Sequence, residues 1–276
     1  MTGRQSGLEI VEVGWSTTVQ DSGRPGLASI GVSPSGALDA GRRALVNRLV
    51  GNAEDAPVLE TAGGLRLRAT GPCLVASSAE AAPRALRPGE EFDVSPSGAT
   101  LWAYLAVRGG LGVEPVLGSA SQDTLSGLGS RALAAGAVLP IGPDPGTSVV
   151  VDHAPVLELD GAVAVWPGPR LDWFTPATLD QLIETLWRVS SEVSRVGARL
   201  AGPPLQRAGN AELPSEGLVT GAIQVPPDGR PVVMLADHPT TGGYPVLAVV
   251  DPTDVATVAQ RRPGAELRFR RAQTAR

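Results

Sequence analysis

The chain has 276 residues, of which 42 % are hydrophobic and 18 % charged, so it carries enough apolar material for a sizeable core and is not typical of a disordered chain. The formal net charge is −5, which argues against a cationic nucleic-acid surface. All 23 basic residues are arginine, and the lack of lysine excludes a Walker A loop, a Schiff-base lysine for pyridoxal phosphate and a biotinylated lysine on this chain.

Glycine and proline are frequent along the whole sequence, with 34 and 25 residues respectively. This density leaves little room for long helices and favours many short strands joined by turns. Several segments are apolar throughout, which suits strands buried on both faces or the strands of a barrel. The predicted strands are 8–13, 101–107, 138–141, 149–151, 162–166, 222–225, 231–235, 246–250 and 266–270.

Three segments have the pattern of amphipathic helices, namely 37–50, 176–188 and 252–261. Ser35, Thr175 and Asp251 are the residues expected to cap them. The second segment has the clearest period, with apolar residues recurring every three or four positions. Leu182 lies in the middle of that stripe and is therefore expected to be buried.

The segment 142–146, Gly-Pro-Asp-Pro-Gly, is the best linker candidate. It divides the chain into an N-terminal β domain, 1–145, and a C-terminal β-barrel domain, 146–276. No run of about 18 apolar residues and no apolar leader are present, so we expect no membrane span and no signal peptide, and we place the protein in the cytoplasm.

The chain lacks the standard catalytic signatures and the residues of a familiar metal site. There is no G-x-S-x-G elbow, no H-E-x-x-H and no G-x-G-x-x-G opening a helix. One cysteine and two histidines exclude a disulfide framework, a four-thiolate site and a histidine-rich metal centre, so no metal is expected. Cys73 has apolar neighbours and is expected to be an inert core thiol. His153 fits a surface or turn role, whereas His238 precedes a glycine-rich polar segment.

Four segments combine polar side chains with glycine in a way that a core does not require. Arg195 and Arg199 can each bind a carboxylate or phosphate bidentately. The residues from Thr240 to Gly243 offer hydroxyls and backbone N–H groups to an anion. The alternative is a set of ordinary turns with capping hydroxyls and surface arginines, but four such segments in one chain favour a site. The segments are 17–24, 31–39, 194–200, and 221–225 together with 237–245.

These segments, in this order and spacing, resemble the allophanate hydrolase subunit 2 family. That family includes the C-type subunit of the ATP-dependent 5-oxoprolinase and the Kip antagonist protein, and it is similar to one half of the carboxyltransferase domain of urea carboxylase. The likeness runs from Val11 to Arg268. The matching motifs are T-T-V-Q-D-x-G-R at 17–24, G-V-x-x-S-G-x-x-D at 31–39, L-V-G-N at 49–52, A-Y-L-A-V-x-G-G at 103–110, L-G-S at 117–119, P-G-P at 167–169, G-A-I-Q-V-P at 221–226 and T-T-G-G-Y-P at 240–245.

The resemblance implies a cyclophilin-like architecture, so the expected fold is mainly β, with two β-barrel-like domains and about three helices. It also implies a hetero-oligomer with an allophanate hydrolase subunit 1 protein, which resembles the B-type subunit of 5-oxoprolinase, and with an A-type subunit that contributes to the nucleotide step. No cofactor is expected on this chain alone, because ATP would be used by the complex. Neither nucleic acid nor membrane is an expected partner.

The chain departs from the family pattern at two charged positions. Ser194 stands where the family usually has Asp in S-D-R-x-G-x-R-L, and Ala120 stands where it has Arg in G-S-R-S-T. If 194–200 is extended, Arg195 and Arg199 share one face. The charge that separates them would then come from a substrate carboxylate, a phosphate or an Asp elsewhere, and Arg195→Gln should weaken turnover while leaving folding nearly intact.

The leading hypothesis is one subunit of a larger ATP-dependent amidohydrolase, in the first place 5-oxoprolinase, which opens 5-oxoproline to glutamate in a complex. The alternatives are a Kip antagonist-like regulatory binding protein and one half of a biotin-dependent carboxyltransferase. The residues do not decide which Asp is the general base, or whether Asp21, Asp39 and Asp237 merely orient Arg24 or His238. The catalytic candidates are Asp21, Gln224, Asp237 and Thr241. The substrate-binding candidates are Gln20, Arg24, Ser35, Asp39, Arg195, Arg199, His238, Thr240, Gly242, Gly243 and Tyr244.

Overall fold

The structure is a computed structural model that describes residues 6–149, 161–209 and 213–273. The described residues form mainly β structure with three α-helices, which confirms the predicted class. They fall into two compact units. The first holds residues 6–24 and 35–149, and the second holds 25–34, 161–209 and 213–273. The division at residue 145 stays a prediction, and the predicted strand 149–151 and His153 lie largely or wholly outside the described residues.

The first unit is built from two antiparallel sheets that share one apolar core. One sheet has the order β7-β4-β1-β9 and the other the order β2-β3-β8-β5-β6, and α1 packs against β8 and β5. Both sheets supply leucine, valine and isoleucine side chains to this core. The elements are β1 (Gly7–Val13), β2 (Ser16–Gln20), α1 (Ala40–Leu49), β3 (Val58–Ala62), β4 (Leu65–Ala69), β5 (Cys73–Ser77), β6 (Pro83–Leu86), β7 (Glu91–Val94), β8 (Ala103–Val107) and β9 (Val138–Pro140).

Strand β4 shows how the alternation of the sequence places side chains in this unit. Leu65 and Leu67 face the core, while Arg66 and Arg68 point to solvent. Arg66 pairs with Glu12 and Asp93, and Arg68 pairs with Glu9 and Glu91, so acidic residues of β1 and β7 flank each arginine. These exposed pairs form a charged outer face of the sheet and contribute little stability each.

The second unit is an eight-stranded sheet that almost closes into a barrel. Its order is β18-β11-β12-β15-β14-β17-β10-β19, and all pairs are antiparallel except β10 with β19. The two edge strands β18 and β19 are separated only by Arg268. The elements are β10 (Val163–Pro167), α2 (Thr178–Glu184), β11 (Trp187–Val193), β12 (Gly197–Ala201), β13 (Glu216–Gly217), β14 (Ala222–Gln224), β15 (Val232–Met234), β16 (Thr241–Gly242), β17 (Val246–Val250), α3 (Val255–Gln260), β18 (Glu266–Leu267) and β19 (Phe269–Arg271).

All three helices are shorter than predicted, and their caps differ. Asp39, rather than Ser35, caps α1 by accepting a hydrogen bond from the backbone N–H of Arg42. Thr175 and Asp251 do not cap α2 and α3, which begin after Ala177 and Asp254 without a side-chain cap bond. The buried position of Leu182 is confirmed, since its side chain has no exposed surface.

Helix α2 ends at Glu184 because the chain turns extended at Thr185, whose φ and ψ are −74° and 137°. Trp187, expected on the helix, lies instead in β11 and donates its indole N–H to the backbone oxygen of Leu182 at 2.8 Å. The tryptophan therefore still covers the helix, but from a strand. No helix in the described ranges has the length and hydropathy needed to cross a membrane.

Candidate functional site

The candidate residues of the first unit gather where β2 ends. Asp21 follows this strand, and its Oδ1 accepts hydrogen bonds from Gly23 N at 2.7 Å, Ser119 Oγ at 2.5 Å and Ser121 Oγ at 2.6 Å. Its Oδ2 accepts from Ala120 N at 2.7 Å. Burial raises the pKa of Asp21, but the bonds from Ser119, Ser121, Gly23 and Ala120 outweigh it and hold the pKa below its ordinary value. Asp21 is thus a firmly held anion that anchors the loop 117–122, a poor proton acceptor at neutral pH.

Arg24 is buried against the same loop and bonds to its backbone oxygens. Its Nη2 donates to Ser121 O at 2.5 Å, and its Nε donates to Val116 O at 3.3 Å. Its enclosed Nη1 has no hydrogen-bond partner among the described residues. Gly129, at φ +100°, lets the chain approach closely, because a Cβ there would lie 2.0 Å from Ser121 O and 3.1 Å from Arg24 Nη2.

Gln20 and Ser35 converge on the neighbouring carbonyl of Gln122. Gln20 Nε2 donates to this oxygen at 2.8 Å, and Ser35 Oγ donates to it at 3.2 Å. Ser35 has a φ of 51°, which is costly for a residue with a Cβ. Gly36 follows at φ 94°, where a Cβ would come within 3.0 Å of Gly23 N. The structure therefore brings Gln20, Asp21, Arg24 and Ser35 together around one loop.

Asp39 lies in a separate buried network that attaches α1 to the sheet. Its carboxylate caps the helix and pairs with Arg42 Nε at 3.0 Å. Its backbone N–H donates to Tyr104 Oη at 2.9 Å, and Tyr104 Oη donates to Glu60 Oε2 at 2.8 Å. These contacts give Asp39 a structural role.

The candidate residues of the second unit centre on a buried ion pair. Arg195 Nε lies 2.8 Å from Asp237 Oδ2, and Arg195 Nη2 lies 2.9 Å from Asp237 Oδ1. The two side chains are 1 % and 0 % exposed. The bidentate geometry uses the planar fork of arginine and neutralises both charges without a ligand.

The two arginines of the 194–200 segment do not point the same way. Arg195 lies in the bend between β11 and β12, whereas Arg199 lies on β12 and pairs with Glu192 and Asp228 near the surface. The expected shared face is therefore wrong, because the chain bends at Arg195 instead of staying extended. Asp237 supplies the negative charge that Ser194 lacks.

Several hydrogen bonds hold the turn 235–238 around the ion pair. Asp237 N donates to Arg195 O at 3.0 Å, and Leu235 N donates to Val196 O at 2.9 Å. From the segment 25–34, Ser33 Oγ donates to Ala236 O at 3.1 Å. Three hydrogen bonds, with residues 195, 196 and 33, thus fix the backbone before His238.

His238 is 2 % exposed, and its ring is oriented by its own neighbour. Nδ1 lies 2.7 Å from Pro239 O. A carbonyl only accepts hydrogen bonds, so Nδ1 carries a proton, and in the neutral ring Nε2 is then the atom with the lone pair. Nε2 makes no hydrogen bond to any residue in the described ranges and is not fully enclosed. In this tautomer the turn presents Nε2 as a hydrogen-bond acceptor.

The residues Thr240 to Tyr244 form a strap beside Gln224. Thr241 and Gly242 pair with β13 as the short strand β16, and neither Gly242 nor Gly243 has a positive φ, so the expected anion-binding turn is a strand here. Gly242 is required by close approach, since a Cβ would lie 2.7 Å from Gln224 Nε2. That Nε2 donates to Tyr244 O at 2.9 Å, so the amide donor expected to polarise a substrate carbonyl is already occupied.

Two cavities lie in the first unit, away from these residues. They have volumes of about 480 and 540 Å³, and candidate residues line neither. Cys73 lines the smaller one, and burial together with the charge of Glu90 raises the pKa of its thiol to about 11, which keeps it protonated and unreactive. Within the described ranges, no cluster of His, Cys, Asp or Glu side chains could hold a metal ion.

Sequence reasoning missed the residues that assemble these sites. Ser119, Ser121 and Gln122 carry the first cluster, and Ser33 contacts the second. Two of these serines lie in the motifs L-G-S at 117–119 and G-V-x-x-S-G at 31–36. The residues that they contact are distant in the sequence. The spacing alone did not show which partners they hold.

Known proteins are similar to this chain over almost its whole length. The model of the carboxyltransferase domain, subdomain A and B, matches residues 30–271. The C-type subunit of 5-oxoprolinase from Escherichia coli (strain K12) is 35 % identical over 95 % of this chain and 90 % of that protein. The urea amidolyase of Lachancea kluyveri is 31 % identical over 95 % of this chain but 17 % of its own length. The crystal structure of the Kluyveromyces lactis urea carboxylase has a TM-score of 0.88 and 27 % identity over 99 % of this chain and 28 % of that chain.

Proposed function

Because the chain belongs to the family of carboxyltransferase subdomains A and B, we propose that it is the C-type subunit of an ATP-dependent amidohydrolase complex that opens 5-oxoproline to glutamate. The observation that carries the proposal is the match to the C-type 5-oxoprolinase subunit of Escherichia coli, which spans nine-tenths of both chains. The match to urea amidolyase covers a small part of a much longer protein.

The residues of this chain support a division of labour within the complex. The chain has no lysine for a Walker A loop, so the nucleotide step belongs to an A-type partner. A B-type partner completes the complex. Neither assignment requires a cofactor on this chain.

The geometry supports a site that binds the substrate rather than one that supplies a nucleophile. Asp21 and Asp237 are both held by strong partners, which makes each a positioning group. Gln224 Nε2 is oriented by Tyr244 O, and His238 Nδ1 by Pro239 O, so each side chain turns its acceptor atom away from the protein partner. Either oriented acceptor suits a compound that carries an N–H group, such as a cyclic amide.

A second candidate function is one half of a biotin-dependent carboxyltransferase. The structural match to urea carboxylase favours it. In that case this chain would act on a carboxylated biotin delivered by another protein, since it has no lysine to carry one. Transfer of labelled bicarbonate to urea by the assembled proteins would support this alternative.

The first prediction follows from the division of labour. The isolated chain should release no glutamate from 5-oxoproline and ATP, and release should begin only when the B-type and A-type partners are added. Co-purification followed by a coupled glutamate assay measures this. Glutamate release by the single chain would contradict it, and a complete complex that is active on urea but inactive on 5-oxoproline would favour the carboxyltransferase.

A further inference from the structure

We propose that His238 recognises the ligand through Nε2, which accepts a hydrogen bond from an N–H that lies next to a carbonyl in an amide or ureido compound. This inference rests on the proposed function for its choice of substrate class. It makes one atom of this chain, His238 Nε2, responsible for the preference for ligands that carry an N–H group.

In the neutral ring, His238 carries its proton on Nδ1. The 2.7 Å contact between Nδ1 and Pro239 O requires a proton on Nδ1, because both atoms would otherwise present lone pairs to each other. The proton on Nδ1 leaves Nε2 as an acceptor in the neutral ring. A neutral imidazole in this tautomer accepts an N–H and cannot donate to a carbonyl or ether oxygen through Nε2.

The backbone that carries the ring of His238 is held rigidly. The Arg195–Asp237 pair, the bond from Asp237 N to Arg195 O and the bond from Ser33 Oγ to Ala236 O fix the residues directly before His238. His238 N also donates to Leu235 O at 3.1 Å. A side chain held in this way loses little freedom when a ligand binds, which is the condition for a selective contact.

Nε2 of His238 is open to a hydrogen bond from a ligand. The imidazole is 2 % exposed, yet Nε2 remains accessible and has no partner within the part of the chain that the structure describes. A ligand that displaces water from Nε2 replaces the lost hydrogen bond only if it offers an N–H. A ligand without that N–H leaves the acceptor unpaired and is rejected, as in other sites built around one polar group.

The test compares 5-oxoproline with its lactone analogue, in which the ring N–H is replaced by oxygen, and uses urea as a ureido probe. Dissociation constants are measured by calorimetry on the assembled complex without ATP. The wild-type complex should prefer the lactam over the lactone by about 5- to 100-fold. In His238→Leu that preference should fall to within about 2-fold, while His238→Gln, whose amide oxygen is also an acceptor, should keep part of it. His153→Gln is the matched control and should keep the full preference.

A second readout observes the ring directly. In the His153→Gln complex, prepared with only this chain labelled, the ¹⁵N signals of the remaining histidine belong to His238. The inference expects an ¹⁵N signature of the Nδ1–H tautomer and a shift of Nε2, but not of Nδ1, on addition of 5-oxoproline or urea. The lactone should leave both signals in place.

The outcomes separate this inference from the proposed function. A shift of Nε2 with urea but not with 5-oxoproline supports recognition of N–H and overturns the choice of 5-oxoproline. Equal shifts with lactam and lactone, no shift with either 5-oxoproline or urea, or unchanged lactam preference in a folded His238→Leu complex would overturn the inference, even where glutamate release stands.

Discussion

At the scale of single residues, Arg195 and Asp237 place two opposite charges where water does not reach. Such a pair gains little over an apolar pair, but removal of one partner leaves an uncompensated charge in the interior. We therefore expect Arg195→Gln to lower the free energy of unfolding by about 3–5 kcal/mol, measured by urea denaturation. This differs from the expectation drawn from the sequence, which left folding nearly intact.

Arg199 is the matched control, because it carries the same charge four residues later in surface ion pairs. Arg199→Gln should change the free energy of unfolding by no more than about 1 kcal/mol. If Arg195→Gln unfolds at the same urea concentration as the wild type, the ion pair is not a stability element. If Arg195→Gln then loses turnover but not stability, Arg195 acts in substrate binding.

Asp21 gives a prediction on pH. Its pKa is lowered in the folded protein, so its contribution to stability is present above the unfolded value of about 3.9 and is lost as the pH falls through the folded value. Ser121→Ala removes a hydrogen bond to the carboxylate and should cost about 1.5–3 kcal/mol at neutral pH. The cost should shrink as Asp21 is protonated, which denaturation curves at a series of acidic pH values would follow.

Ser130 provides the control for this variant. It lies in the same long loop, and its Oγ has no hydrogen-bond partner among the described residues. Because Ser130→Ala removes a hydroxyl that makes no hydrogen bond, it should not lower the free energy of unfolding at any pH. A Ser121→Ala deficit that stays constant down to acidic pH would show that the hydroxyl acts independently of the Asp21 charge.

At the scale of elements, α2 depends on one leucine. Leu182 is fully buried, and Trp187 covers the same turn from β11. Leu182→Ala should lower the free energy of unfolding by about 2–5 kcal/mol, the usual range for a truncated core leucine, and should lower the thermal midpoint. Leu171→Ala is the control, since that leucine is 41 % exposed and should shift the midpoint little. Similar shifts in both variants would contradict the packing of α2.

Local pattern predicted some elements well and others poorly, for identifiable reasons. Strand β17 was predicted with its observed bounds, because Val246–Val250 is a continuous apolar run between proline and aspartate. The helix around Leu182 was predicted too long, since Trp187 continues the helical spacing while the backbone has already become extended. Strand β4 was missed because arginine interrupts its apolar positions, and only acidic residues on β1 and β7 make those arginines favourable there.

The candidate site shows the same limit. The sequence singled out Gln20, Arg24 and Ser35, and the structure brings them to the carbonyls of Ser121 and Gln122. It placed Arg195 and Arg199 on one face and left the compensating charge open, whereas Arg195 is paired with Asp237, 42 residues further along the chain. Local spacing finds polar segments, but the partner of a buried charge is set by tertiary folding.

At the scale of the whole molecule, composition limited the fold class before any element was placed. Frequent glycine and proline leave helices of 10, 7 and 6 residues within the described ranges, and most other regular structure is strand. A far-ultraviolet circular dichroism spectrum of the full chain should show a β-type minimum with a weak helical contribution. A spectrum dominated by helix would contradict both the composition argument and the fold.

The late closure of the eight-stranded sheet has a consequence for the chain during its synthesis. Strand β10 pairs with β17 and β19, so its first partner emerges from the ribosome about 80 residues after it. At translation rates of roughly 5–20 residues per second, this apolar strand waits about 4–16 s without a neighbour. An unpaired apolar edge is a template for pairing between chains. The nascent second unit is therefore most exposed to aggregation before its last strands are made, and a holdase chaperone acting in that interval would raise the yield of folded protein.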